Sequence, residues 1–297
     1  MSKKVIFKGA ATALITPFKN SKEIDYEKFA SLIDWQIDNG IDALVVCGTS
    51  GESSTLSDEE HKEAIKFCIK QANKRVPVIA GTGSNDTAYA LELSKFASNE
   101  GADGLLIVTP YYNKATQNGL VNMYNEIADN VDCPIICYNV PSRTGVNIEP
   151  STYAKLSLNK NLNSIKEANG NISKIADTAL AINGNMNIYS GNDDQIVPIL
   201  SLGGLGVISV LSNLFPGETS NICKYFFEGN VAKARELQLK FLPLIHALFC
   251  EVNPIPVKAA MKHLGFCDGS VRGPLTEMEP NNEKVLVEEM RKLGLNV

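Results

Sequence analysis

The chain has 297 residues, of which 44% are hydrophobic, and its formal net charge at neutral pH is −5. This composition allows a large core, and the acidic balance without a Lys/Arg run argues against nucleic acid as a partner. No apolar run approaches the roughly 18 residues of a membrane span. Lys8 and Pro17 interrupt the apolar N-terminus, so we expect neither a secretory leader nor a membrane partner.

Seven cysteines are scattered along the chain without a CxxC pair. Most lie inside apolar segments, where a thiol behaves as a small buried hydrophobe. This usage is typical of reduced thiols and predicts a cytoplasmic protein.

A short apolar run followed by an amphipathic stretch recurs along the first 213 residues. The stretches at 25–40, 57–73 and 86–100 place apolar residues at helical spacing, and the second opens with a capping box. The apolar runs, which we predict to be strands, cover residues 9–16, 42–50, 76–83, 104–112, 134–141, 163–168, 187–193 and 206–213.

Eight strands alternating with helices predict an α/β protein with a (β/α)8 TIM barrel. A doubly wound sheet is the alternative, but it usually has a Gly-rich turn after its first strand, where this chain has Thr16-Pro17-Phe18. We predict a catalytic barrel over 1–213. Residues 214–297 show helical patterns without a Ser/Pro linker, which indicates a C-terminal helical region packed on the barrel.

The sixth predicted strand ends in a lysine, at the barrel face where catalytic groups lie. If Ile165 faces the helices, alternation points Ser164, Lys166 and Ala168 inward. Burial lowers the pKa of an amine, and a neutral amine can attack a ketone and form a Schiff base. The alternative is an ordinary lysine, either solvated or paired with a carboxylate.

Two hydroxyl side chains are predicted to face each other across the mouth. Tyr138 ends the fifth strand, and Thr49 follows the second. A phenol bonded to another hydroxyl can move the protons of imine formation without a histidine. The alternative for Tyr138 is a core aromatic with a hydrogen-bonded tip.

Other patterns predict no catalytic role. The glycines in 201–207 precede the eighth strand, at the opposite end from the mouth, and favour a tight turn over a phosphate loop. The acids in 192–194 suit helix capping better than a metal site. The three histidines, which lie in helical patterns, are His61, His246 and His263. We therefore expect no bound metal.

Four motifs together resemble the dihydrodipicolinate synthase family, a resemblance that extends over about residues 5–290. They are GTSGESSTL (48–56), TPYYN (109–113), YNVPSRTG (138–145) and IKEANGN (165–171), and GGLGVISV (203–210) fits as well. The resemblance implies a (β/α)8 barrel with C-terminal helices. It also implies condensation of pyruvate with L-aspartate 4-semialdehyde to 4-hydroxy-tetrahydrodipicolinate, on the route to lysine and diaminopimelate.

The resemblance assigns the covalent and proton-transfer roles. Lys166 would form the Schiff base with pyruvate, so no separate cofactor is expected. Tyr138 would donate and accept protons in a relay with Thr49 and Tyr112. The resemblance implies that Tyr112 reaches in from a neighbouring subunit, and that the protein is a homotetramer built as a dimer of dimers.

The resemblance also assigns the binding roles. Ser50, where many members have Thr, would hold the pyruvate carboxylate with backbone amides of its turn, and Ile208 would line the pyruvate pocket. Arg143 would gate the mouth and bind the carboxylate of the second substrate, which a guanidinium can bond bidentately. Taken alone, Arg143 would be interpreted as a surface loop residue.

Two other functions stay open. A related class I aldolase, acting on N-acetylneuraminate or a 2-keto-3-deoxy sugar acid, would share Lys166 and Tyr138. Arg143 and the Tyr111-Tyr112 pair favour the synthase. A non-enzymatic barrel, kept as a regulator or scaffold, could lose these residues without penalty.

Regulation by lysine is expected to be weak or absent. In lysine-regulated members of the family a glutamate partly holds the effector's ammonium group. Aligned on the GTSGE and GTGSN motifs, Tyr89 occupies that glutamate position and Asp58 occupies a histidine position. The retained residues at this site are Ser53, Ser54, His61, Asn85 and Tyr111.

Overall fold

The computed structural model describes residues 3–297 and shows a closed barrel of eight parallel strands in chain order. The strands are β1 Gly9–Ala13, β2 Ala43–Val46, β3 Val78–Gly81, β4 Gly104–Val108, β5 Ile135–Asn139, β6 Leu162–Glu167, β7 Asn187–Ser190 and β8 Gly206–Ser209. The predicted barrel is confirmed, and the doubly wound sheet is excluded. Most strands end before the predicted runs do, because those runs continue into the loops of the mouth.

Twelve helices surround the barrel within residues 3–297. They are α1 Tyr26–Asp38, α2 Asp58–Ala72, α3 Thr87–Asn99, α4 Gln117–Ala128, α5 Pro141–Thr144, α6 Pro150–Leu156, α7 Ile172–Ile182, α8 Ile196–Ser201, α9 Pro216–Phe227, α10 Val231–Leu248, α11 Ile255–His263 and α12 Pro280–Lys292. The predicted capping box is present at α2. The Glu60 amide donates to Ser57 Oγ at 3.3 Å, and the Ser57 amide donates to Glu60 Oε2 at 2.9 Å.

Apolar side chains form two layers, as strand alternation requires. The outer layer, between strands and helices, includes Ile165, whereas the inner layer fills the barrel and includes Tyr138, Ile208 and Ala168. The predicted orientation of the sixth strand is therefore confirmed.

The barrel closes where β1 meets β8, and glycine is needed there. Gly9 pairs with Gly206, and a Cβ on Gly206 would lie only 1.8 Å from the Gly9 carbonyl oxygen. The preceding glycines form a turn at the amino end of β8, away from the mouth, with Gly203 at φ +91°. The turn predicted for this segment is thus confirmed.

The C-terminal helices pack on the barrel. Helix α9 packs against β1, α10 packs against α9 and α12, and α11 reaches the turn that follows β8. The boundary at residue 213 stays a prediction. Within residues 3–297 no helix is both long enough and apolar enough to cross a bilayer.

Candidate active site

A cavity of about 370 Å³ opens among the carboxyl ends of the strands. Five of the seven predicted site residues line it, namely Thr49, Ser50, Tyr138, Arg143 and Lys166. A larger cleft of about 1010 Å³ lies among loops at the opposite end of the barrel, and no predicted site residue lines it. The smaller cavity is therefore the candidate active site.

Lys166 lies near the end of β6, beside Tyr138 of β5 in the strand register. Its side chain is buried, and Nζ lies 4.3 Å from the centre of the Tyr138 ring. Burial lowers the pKa of this amine to about 7; the Asp193 carboxylate opposes the shift, and the Arg143 guanidinium adds to it. A large fraction of the amine is therefore neutral and nucleophilic near neutral pH.

No carboxylate forms a salt bridge with Lys166 anywhere in residues 3–297. A contacting carboxylate would favour the ammonium form and withhold the lone pair. The alternative of a lysine that is solvated or paired with a carboxylate does not describe this environment.

The phenol of Tyr138 is buried beside this amine. Burial raises its pKa, whereas the charge of Arg143 and the hydroxyl of Thr49 oppose the shift. The phenol is therefore protonated at neutral pH, and Thr49 lines the same cavity. This arrangement suits a group that passes protons to and from a substrate on Lys166.

Ser50 and Arg143 are joined by one residue of the C-terminal region, Asn253, which lies between α10 and α11. Asn253 Nδ2 donates to Ser50 Oγ at 3.1 Å, and Arg143 Nη2 donates to the Asn253 carbonyl oxygen at 3.1 Å. The two predicted carboxylate-binding residues thus share a buried support. Their positions on one cavity wall suit a substrate with two carboxylates or two substrates with one each.

Sequence reasoning missed the C-terminal contribution to the cavity. Besides Asn253, the C-terminal residues that line it are Phe249, Glu251 and Val252. The available signal was a polar residue directly before Pro254-Ile255-Pro256, between two helical patterns. The region was predicted only as packed helices.

A second missed residue is Gly191, at the end of β7. A Cβ at this position would lie 2.7 Å from the Ala168 Cβ and 3.2 Å from the Lys166 Cε. Any larger residue would therefore push against the reactive lysine, so glycine is required by close approach rather than by turn geometry.

The sequence predicts that the acids in 192–194 cap a helix, but the short turn in which they lie has no side-chain cap. Asn192 makes no side-chain capping bond to the short turn Asp193–Gln195. Instead, Asp193 is buried, and its Oδ2 accepts from the amides of Val210 and Leu211, both at 3.0 Å. Asp193 therefore holds the chain after β8, and its charge acts on Lys166.

The structure does not bring the remaining two predicted residues to the cavity wall. Ile208 is buried inside the barrel in the same apolar cluster as Tyr138. Tyr112 is 92% exposed and has φ +68°, a left-handed conformation that costs a bulky residue about 1–3 kcal/mol. It does not line the cavity of its own chain.

A buried, uncompensated lysine near a strand end, with a phenol beside it, defines a lyase of the class I aldolase type on a (β/α)8 barrel. The sequence model of the Dihydrodipicolinate synthetase family matches residues 6–293, and the chain belongs to this family. The family resemblance found in the motifs is thereby confirmed.

Individual relatives span the full chain. The chain is similar to 4-hydroxy-tetrahydrodipicolinate synthase of Lachnoclostridium phytofermentans, with 55% identity over 98% of this chain and 99% of the relative. It is similar to the solved dihydrodipicolinate synthase from Aquifex aeolicus, with TM-score 0.96 and 45% identity over 98% of this chain and 99% of that one. A monomeric dihydrodipicolinate synthase variant gives TM-score 0.95 and 42% identity, covering 98% of each chain.

Proposed function

We infer that this enzyme condenses pyruvate with L-aspartate 4-semialdehyde to 4-hydroxy-tetrahydrodipicolinate, in the biosynthesis of lysine and diaminopimelate. The observation that carries the inference is Lys166, buried without an ion-pair partner and 4.3 Å from the Tyr138 ring in the mouth cavity. Full-length similarity to the named synthases supports the choice of substrates.

The covalent steps follow from the neutral amine. Lys166 Nζ attacks C2 of pyruvate, and the resulting carbinolamine loses water to give a protonated imine. The imine draws electrons from C3, which loses a proton and becomes an enamine carbon. That carbon attacks the aldehyde of the second substrate. The substrate amine then displaces Lys166 at C2 and closes the ring, with one water released overall. We propose that no separate cofactor takes part, since Lys166 itself supplies the electron sink.

Tyr138 is placed to carry the protons of these steps. It would protonate the departing hydroxyl of the carbinolamine and the alkoxide that forms on the aldehyde carbon. Thr49 would pass protons onward, with Tyr112 of a neighbouring subunit completing the relay. The buried position of the phenol beside Lys166 supports this assignment.

The two carboxylates would bind on the wall formed by the C-terminal ends of β2 and β5. Ser50 and the amides of its turn suit the pyruvate carboxylate, and Ile208 would support the pyruvate pocket from inside the barrel. Arg143 suits the carboxylate of the second substrate, which it can bond bidentately.

An assay with purified enzyme and different aldehydes separates this function from the runner-up. Pyruvate should be consumed with L-aspartate 4-semialdehyde, and far more slowly with N-acetylmannosamine or a sugar aldehyde, which lack a carboxylate for Arg143. The control Arg143→Lys keeps the positive charge but loses the paired N–H donors that bond a carboxylate bidentately. It should weaken turnover with the semialdehyde and leave the sugar aldehydes unaffected. Preferential use of a sugar aldehyde would contradict the proposal.

We propose a homotetramer built as a dimer of dimers, as the family resemblance implies, and the exposed Tyr112 supports a contact between two subunits. Its strained conformation and its exposure suit a residue that completes the site of another subunit. Inactive Tyr112→Phe and inactive Lys166→Ala subunits, mixed, should regain some activity in hybrid dimers that contain one intact site. Exchange of subunits shown by mass spectrometry, without recovered turnover, would contradict a shared site.

A cleft of about 530 Å³ adjoins the active site and bears on regulation by lysine. The residues of the expected effector site that line it are Ser53, Ser54, Asp58, His61, Tyr89 and Tyr111. Burial raises the pKa of the Tyr89 phenol, and the neighbouring Asp58 adds to the shift. Tyr89 brings no negative charge for an ammonium group and occupies volume in the cleft.

We therefore expect weak inhibition by lysine or none. Losing a charge-assisted hydrogen bond costs about 1.5–3 kcal/mol, or roughly 10- to 150-fold in affinity. Activity is titrated with L-lysine at subsaturating pyruvate, and Tyr89→Glu is the matched gain-of-inhibition variant. Half-inhibition of the unmodified enzyme well below about a millimolar would show that the effector site survives its substitutions.

The cysteines support a cytoplasmic location. All seven are free, and six of them are buried. Reduced thiols of this kind are typical of cytoplasmic proteins.

A further inference from the structure

A second buried lysine lies outside the cavity and joins the C-terminal region to the barrel. Lys258 of α11 is fully buried, and its Nζ forms an ion pair with Glu52 Oε1, which is also buried. The same Nζ donates to the Ser270 carbonyl oxygen at 2.8 Å and lies 3.9 Å from the centre of the Phe18 ring. The ammonium group is thus enclosed by three separate parts of the chain.

Glu52 ends the Gly48–Glu52 turn, which carries Thr49 and Ser50. Its other oxygen, Oε2, accepts from the Arg272 amide at 2.9 Å. The backbone of Glu52 has φ +53°, which is unfavourable for a residue with a Cβ. Both carboxylate oxygens are therefore used to hold a strained turn residue against the C-terminal region.

Arg272 of the C-terminal region also bonds the part of the chain that follows the turn. The Arg272 guanidinium donates to the Thr55 carbonyl oxygen at 2.7 Å and to both oxygens of Glu60, each at 2.6 Å. From the barrel side, Thr16 Oγ donates to the Gly51 carbonyl oxygen at 2.7 Å. The turn is fixed at its carboxyl end by contacts that are distant in sequence.

The amino part of the turn is left for a ligand. Gly51 and Glu52 donate their amides to the carbonyl oxygens of Gly48 and Thr49, each at 3.1 Å. Within residues 3–297 the amides of Thr49 and Ser50 donate to no backbone or side-chain acceptor among the turn and loop hydrogen bonds. Two unused amides beside a hydroxyl suit an anion such as a carboxylate.

We propose that Lys258 is a positioning residue for the substrate carboxylate, acting through Glu52 on the Gly48–Glu52 turn. The inference rests on the proposed function, since the turn matters for catalysis only where it binds the pyruvate carboxylate. Lys166 lies on β6 and does not depend on this turn, whereas Thr49 of the proton relay lies on it. Loss of the Lys258 contact therefore weakens pyruvate binding while leaving the covalent chemistry in place.

The test removes the charges of Glu52 and Lys258 in one double variant. The single variant Lys258→Met would leave Glu52 as an unpaired buried charge and risks unfolding. The double variant Glu52→Gln/Lys258→Met avoids this cost. We expect its half-saturating pyruvate concentration, measured by borohydride trapping, to rise about ten-fold or more. The amount of adduct trapped at saturating pyruvate should stay equal to that of the unmodified enzyme, because Lys166 is unmoved.

Two companion variants show whether the effect is specific. Lys258→Arg keeps the charge and should retain most of the pyruvate affinity. Leu286→Ala removes a buried side chain of α12, which packs against α10 and α11. It should lower thermal stability and leave half-saturation unchanged. An equal rise in Leu286→Ala, or no rise in the double variant, would overturn the proposal.

Hydrogen exchange of the unmodified protein tests the same contact without a substitution. Pyruvate should slow exchange in residues 268–272, which are held against Glu52 and do not line the cavity. Unchanged exchange in that segment, with pyruvate bound, contradicts the proposal. If the unmodified enzyme gives no trapped pyruvate adduct, the proposed function itself fails, which is a different outcome.

Discussion

The barrel mouth around Lys166 and the C-terminal contact around Lys258 bury the same side chain in opposite settings. Lys166 has no salt-bridge partner in the described chain, and burial lowers its pKa to about 7. Burial also lowers the pKa of Lys258, but Glu52 touches the ammonium and opposes the shift. Burial alone therefore does not make a lysine a nucleophile. The missing counter-ion does.

The two settings also differ in their effect on stability. A buried ion pair offsets much of its desolvation cost through direct contact and further hydrogen bonds. Among residues 3–297 no carboxylate contacts Lys166 in this way, and the charge of Asp193 opposes only part of the effect of burial. The folded pKa of Lys166, about 7, lies below the ordinary value of 10.5, so the unfolded chain holds a proton that the folded chain releases. Lys166 therefore costs stability at neutral pH, and the cost shrinks as the pH rises from about 7 towards 10.5.

The largest expected effect comes from Lys166→Ala. Turnover should fall by several orders of magnitude, because covalent catalysis is lost. At pH 7 the variant should unfold at the same urea concentration as the unmodified enzyme or a higher one, since the uncompensated amine is gone. If the variant lost stability as well as activity, Lys166 would have a structural role, like Lys258, and the account of an unpaired nucleophile would be contradicted.

Removal of the phenol should have the next largest effect. Tyr138→Phe should still trap pyruvate on Lys166 but turn over about 10²–10⁴-fold more slowly, the usual contribution of a positioned acid or base. Steady-state rates and trapping are measured on the same preparation. Near-normal turnover would show that another group moves the protons. Tyr153→Phe is a matched control, since Tyr153 lies in α6, is buried, and does not line the cavity.

The pH dependence gives the smallest effect and tests the pKa directly. For pyruvate, kcat/KM reports the free enzyme, which needs the neutral amine. It should rise about ten-fold per pH unit at acidic pH and level off above about 7, the pKa to which burial lowers Lys166. A profile that continues to rise towards pH 10 would show that the amine has an ordinary pKa.

Much of the barrel and part of the site could be predicted from the sequence. Strand alternation correctly predicted that Lys166 faces the inside of the barrel. Ile165 packs in the outer layer, and Ala168 packs in the inner layer. Catalytic groups of a barrel lie where its strands end, and this correctly predicted that Thr49 and Tyr138 share one cavity. These inferences succeed because they depend on local periodicity and on one rule about where parallel strands end.

The contributions of the C-terminal region could not be predicted in this way. Asn253 meets Ser50, and Lys258 meets Glu52, across about 200 residues of chain. Helical periodicity marks α11 as packed but does not say which loop it packs against. Lys258 in isolation has the same pattern as any lysine on a helix. Gly191 is likewise explained only by the atoms that approach it in three dimensions.

The most direct test of the account is to locate the covalent adduct. The enzyme is incubated with pyruvate, reduced with borohydride, digested and sequenced by mass spectrometry. We expect one modified residue, Lys166, with Lys258 unmodified although it too is a buried lysine. An adduct at any other lysine, or none in a preparation that turns over pyruvate, would contradict the claim that the unpaired amine at the end of β6 is the nucleophile.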